Sequence, residues 1–109
     1  MREVDATWSG AVFVCCHERD PETGRASCGL AAGEGLRNRL KARMKQAGHK
    51  GTILTAKSGC LDVCSPLGVT VAAVPERGSG RPRRMWVVEP GDDEDALFEQ
   101  VCAALGVPG

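Results

Sequence analysis

Ala11-Val12-Phe13-Val14-Cys15 is a run of strand formers that ends on a thiol. Branched and aromatic side chains suit a pleated surface, and an unbroken apolar run signals a buried strand. Farther on, Leu36, Leu40, Met44 and Ala47 recur at helical spacing and predict a helix over about 34–47. Glu34 suits its first turn, and Gly48 is placed to end it. Thr52-Ile53-Leu54-Thr55-Ala56 reads as a second strand. A strand, a helix and a strand in this order form a crossover, so the two strands lie parallel and connect right-handedly. Residues 16–35 read as a long polar connection containing Pro21, Gly24, Gly29, Gly33 and Gly35. A loop of that length in a compact domain usually carries function.

Beyond the crossover, Lys57 to Gly68 reads as a loop holding Cys60 and Cys64. Val69-Thr70-Val71-Ala72-Ala73-Val74 is a third strand, and Met85-Trp86-Val87-Val88 a fourth. The turn between them, Pro75 to Arg84, makes the pair an antiparallel hairpin; its Arg81, Arg83 and Arg84 read as a solvated loop. Pro90 and Gly91 lead into a last helix over about 92–105. Asp92, Asp93, Glu94 and Asp95 stand where the helix dipole favours negative charge, and Leu97, Val101, Ala104 and Leu105 form its apolar stripe. The expected chain is a flexible arm over 1–10 and a single domain over 11–109. Its order is β-α-β-β-β-α: an α/β fold with a mixed four-stranded sheet and two main helices, the plan of thioredoxin-like folds.

The 109 residues suffice for one core. Aromatic side chains are few (Trp8, Phe13, Trp86 and Phe98), so that core rests on Val, Leu, Ile and Ala. A formal net charge of zero argues against nucleic acid or a membrane surface as a partner held by bulk electrostatics. The first apolar run is too short for a signal peptide or a membrane span, which makes a cytoplasmic location the expectation. Six cysteines are an excess in so short a chain. A secreted disulfide scaffold would use them all, whereas in a reducing compartment clustered thiols mean metal or redox chemistry.

Cys15 and Cys28 have 12 residues between them, Cys28 and Cys60 have 31, and Cys60 and Cys64 have three. Cys15 closes the first strand and Cys60 follows the second. Parallel neighbours end on the same edge of a sheet, so these thiols can converge there. Four thiolates suit the two irons of a [2Fe–2S] cluster. Gly29, Gly33, Gly35 and Gly59 would let backbone N–H groups approach the sulfurs and help set the potential.

On these residues the chain resembles the thioredoxin-like [2Fe–2S] ferredoxins. The resemblance rests on Val12-Phe13-Val14-Cys15, on Cys28-Gly29, on Gly59-Cys60-Leu61-Asp62-Val63-Cys64, on the strand bearing Trp86 and on the acidic helix after Pro90. It covers about residues 10–105. It implies Cys15, Cys28, Cys60 and Cys64 as cluster ligands, one-electron transfer between redox partner proteins, no catalysis of its own, and a homodimer. Ser65-Pro66-Leu67-Gly68 and the long basic hairpin turn depart from the family pattern and bear on partner choice.

Other readings stand beside this one. Cys16 neighbours Cys15 and could replace it. Cys102, four residues after Phe98, reads as a buried core thiol, and His17 and His49 as surface residues. A [2Fe–2S] module of an NADH dehydrogenase or hydrogenase complex would have a shorter first cysteine spacing and an added helical region. A structural zinc domain would use short cysteine knuckles in both halves, and only Cys60 and Cys64 fit one. On the first helix Arg37, Arg39, Lys41, Arg43 and Lys45 form either a solvated face or a docking patch for an acidic partner; Arg19 and Arg25 could join them in offsetting cluster charge.

Overall fold

The computed structural model describes residues 1–16, 30–59, 61 and 68–109. Its elements run β1 (Gly10–Cys15), α1 (Leu30–Gln46), β2 (Ile53–Ser58), β3 (Val69–Val74), β4 (Arg84–Val88) and α2 (Glu94–Leu105). The strands form one mixed sheet in the order β2-β1-β3-β4. β1 pairs parallel with β2, from Gly10 opposite Ile53 to Cys15 opposite Ser58. It pairs antiparallel with β3, with Val14 opposite Val71, and β3 pairs antiparallel with β4. The parallel pairing of the crossover strands and the antiparallel hairpin therefore stand as expected.

Side chains alternate across a strand, so the register fixes what each sheet face carries. Val12, Val14, Ile53, Val69, Val71 and Ala73 share one face and one core with Leu36, Leu40 and Met44 of α1 and Leu97, Phe98 and Val101 of α2. Both helices therefore lie on that face, α1 over β1 and β2, α2 over β1 and β3. Val, Leu, Ile and Ala dominate this core, as the shortage of aromatics requires. The opposite face carries Ala11, Phe13, Cys15, Leu54, Ala56, Ala72, Met85 and Val87, of which Met85 and Val87 are exposed.

Helix α1 starts at Leu30, four residues before the expected start. Gly33 and Gly35 are helical rather than parts of a connection, and Glu34 stands in the second turn, where it accepts a hydrogen bond from Lys57 Nζ at 3.1 Å. Glycine weakens a helix interior by about 0.5–1 kcal/mol relative to alanine, which is why the pair reads as loop. The apolar stripe outweighs that cost: Leu36, Leu40 and Met44 are each at most 3% exposed. The helix ends as expected at Gly48, whose φ of 85° places it in the left-handed region. Gly48 N–H donates to Lys45 O and His49 N–H to Met44 O, the paired bonds of a Schellman ending.

Strand β2 runs two residues past the expected end, to Ser58, because its backbone continues to pair with β1. Helix α2 begins at Glu94, two residues later than expected, because Asp93 caps it. The Asp93 carboxylate accepts from the N–H groups of Asp95 and Ala96. Arg81 is not merely a solvated loop residue: its guanidinium donates to Ala103 O at the other end of that helix. Arg84 stands over the Trp86 ring, 5.1 Å from its centroid. His49 Nε2 donates to Pro108 O at 2.6 Å and holds the C-terminal residues. No helix among the described residues is long and apolar enough to cross a membrane.

Candidate metal centre

Cys15 is the last residue of β1, and it is fully buried. Alternation sends its side chain to the face away from the helices, with Phe13, because Val12 and Val14 face them. Cys16 points the other way. A Cβ built on Gly33 would lie 2.9 Å from Cys16 Sγ and would overlap the Cys15 carbonyl oxygen. The first turn of α1 thus presses on the end of β1 through a position that only hydrogen can occupy. The two adjacent thiols are separated by the sheet itself. Cys15 lies on the face away from the helices, while Cys16 packs beneath α1 with its thiol 3.5 Å from Val14 O.

The same edge receives every other described end of the cysteine-bearing segments. Ser58 stands opposite Cys15, and Ser58 O accepts from Cys16 N–H at 2.9 Å. Gly59 follows it directly. Val69 begins β3 at this edge, since β3 runs antiparallel to β1 and Val71 faces Val14. Gly68 is pressed against the end of β4, where an added Cβ would lie 2.5 Å from Val87 Cγ1. The Lys57–Glu34 pair clips α1 to β2 close by. Cys28, Cys60 and Cys64 lie outside the described residues, as do His17, Arg19, Arg25 and Gly29. Among the described residues no group of three or more His, Cys, Asp or Glu side chains could hold a metal ion.

Of the glycines expected to approach the sulfurs, Gly33 makes a close contact with the thiol edge. Gly35 does not: a Cβ there would meet only the Arg39 guanidinium, at 3.1 Å. Gly59, which precedes Cys60, has no described atom within 4 Å of such a Cβ. Cys102 is 1% exposed in the core, as expected, and burial pushes its thiol up from the ordinary value. The basic face of α1 is divided in its use. Arg39 pairs with Glu94 at 2.8 Å and Arg43 with Asp95, so two of the five cations tie α1 to the acidic start of α2. Arg43 also lies over the Phe98 ring. These pairs join residues more than 50 positions apart, and no local signal announces them. No protein-family model, no curated protein and no solved structure matches this chain.

Proposed function

We propose that the chain is a [2Fe–2S] electron carrier on a thioredoxin-like fold, with Cys15, Cys28, Cys60 and Cys64 as ligands. The observation that carries the reading is the single sheet edge at which Cys15 and the described flanks of 17–29 and 60–67 meet. Ligands with 12, 31 and three residues between them can meet only if the fold returns the chain to one place, and the shared edge of β1, β2 and β3 supports that. The described member of the donor set suits the group: Cys15 is a buried thiol at a strand end, on the face that neither helix covers. Cys16, turned under α1, is the poorer ligand. When bound, such a cluster supplies one electron of redox capacity with little rearrangement.

On this reading the protein passes electrons between redox partner proteins and catalyses no reaction of its own. It sits in the cytoplasm and engages neither nucleic acid nor membrane. A homodimer is part of the proposal, and the open sheet face with Phe13, Leu54, Met85 and Val87 offers it an apolar surface. The test is an anaerobic potentiometric titration followed by visible absorption. The expected result is reversible bleaching with a slope of about 59 mV per decade, the signature of one electron. Absorption that does not change reversibly with potential would overturn the carrier reading.

A further inference from the structure

Two of the cationic grooves among the described residues include an arginine in their lining. The larger, about 730 Å³, lies between Trp8–Gly10 and the β3–β4 turn and is lined by Arg77, Arg81 and Arg83. It holds no buried group in need of a partner, and Arg81 is already bound to the end of α2. The smaller, about 320 Å³, runs between α1 and the outer strand β2. Arg37 and Lys41 of α1 line it, with Lys50 from the turn that follows. Trp8 and Met44 supply apolar walls, and Thr55 of β2 lies within it.

Two polar atoms of this smaller groove are buried without a hydrogen-bond partner: Thr55 Oγ1 and Arg37 Nε. Thr55 is 6% exposed, so its hydroxyl does not reach bulk solvent. Buried polar atoms are normally paired, and each exception calls for an occupant or a reason. The Arg37 guanidinium donates through Nη1 to Asn38 at 2.9 Å, which leaves its Nε side for something else. Among the described residues Arg37, Lys41 and Lys50 take part in no ion pair, whereas Arg39, Arg43 and Lys57 do. No acidic side chain lines the groove. Two unpartnered polar atoms, three unpaired cations and an aromatic wall thus share one small space.

We propose that this groove is a binding site for a small oxyanion of the phosphate class. Arg37 presents a planar fork suited to a tetrahedral oxyanion, Lys41 and Lys50 add point charge at the rim, and the Thr55 hydroxyl donates from the base. An apolar body on the ligand would lie against Trp8 and Met44. The site is separate from the thiol edge and does not depend on the cluster.

The test is isothermal titration calorimetry of the full chain with inorganic phosphate and, separately, phenyl phosphate. Ionic strength is held constant with sodium chloride, so that general screening cannot imitate binding. Saturable one-to-one binding of either probe, weakened at least about tenfold in Arg37→Gln or in Thr55→Val, supports the proposal. Equal affinity for the two probes assigns the site to free phosphate, and tighter phenyl phosphate to an ester. Thr55→Val removes only the hydroxyl at nearly constant volume, so it serves if Arg37→Gln fails to fold. No saturable heat with either probe, or binding unchanged in both variants, overturns it.

Discussion

Helices α1 and α2 lie on the same sheet face and bury the same kind of apolar stripe, yet their limits have different origins. In α2 local chemistry sets both ends: Asp93 caps the start, and Gly106, with φ of 73°, closes the finish. In α1 only the finish is local. Its first turn holds no acidic residue, and its first seven residues include two glycines. What holds that turn helical is the strand end beneath it, where Gly33 meets Cys15 and Cys16. A helix with its own caps can be read and altered locally. A helix whose start depends on a neighbour ties its own stability to that neighbour, and here the neighbour is the thiol edge.

Substitutions within the two helices separate these cases. The largest effect is expected at Gly33. Gly33→Ala would drive a methyl group into the Cys15 carbonyl and the Cys16 thiol, and should destabilise by about 1–3 kcal/mol in urea unfolding despite alanine's better helix propensity. A neutral or stabilising result would mean that α1 does not press on the strand end. Next comes Asp93→Ala, which removes the cap of α2 and should cost about 1 kcal/mol. Gly35→Ala should do the reverse of Gly33→Ala, stabilising by about 0.5–1 kcal/mol, because only a movable arginine tip stands near. Equal losses at the two glycines would abolish the distinction drawn between them.

Two smaller effects concern what joins and fills the helices. Arg39→Gln and Arg43→Gln should each cost about 0.2–1 kcal/mol at low salt, with the loss shrinking in 1 M sodium chloride, since one partner of each pair is well exposed. A cost that did not change with salt would trace their role to packing. The last effect appears only in alkali. Burial raises the Cys102 thiol above its ordinary 9.0, so the folded chain holds that proton more firmly than the unfolded one. The stability this contributes is complete below the unfolded value and is lost as pH rises through the folded one. Cys102→Ala should therefore lose less stability above pH 9.0 than the parent chain. Parallel alkaline decline in the two proteins would contradict it.

Much of the fold is legible in the sequence where one residue type has one meaning. Val69–Val74 is apolar but for Thr70 and bounded by Gly68 and Pro75, and its expected limits match those of β3. The parallel pair and the hairpin follow from element order and turn length alone. Gly33 misleads because a glycine in a polar segment signals loop, and only the strand packed against it reveals a close contact instead. The Arg39–Glu94 and Arg43–Asp95 pairs were hidden for a related reason, since a cation on a helix face carries no mark of its distant partner. At the candidate site, the two-residue period of a strand is enough to say which way Cys15 faces. Val12 and Val14 face the core, so Cys15 must face away from it. Cys28, Cys60 and Cys64 lie outside the described residues, and their convergence on that edge is the proposal drawn from spacing and topology.

The central claim is that one sheet edge holds a two-iron cluster through four thiolates. Iron and acid-labile sulfide per chain, measured on anaerobically purified protein, test it most directly. The account predicts about two irons and about two sulfides in the parent chain and in Cys16→Ser, and neither in Cys15→Ser. About one zinc per chain with no labile sulfide would contradict it and leave a structural metal site in its place.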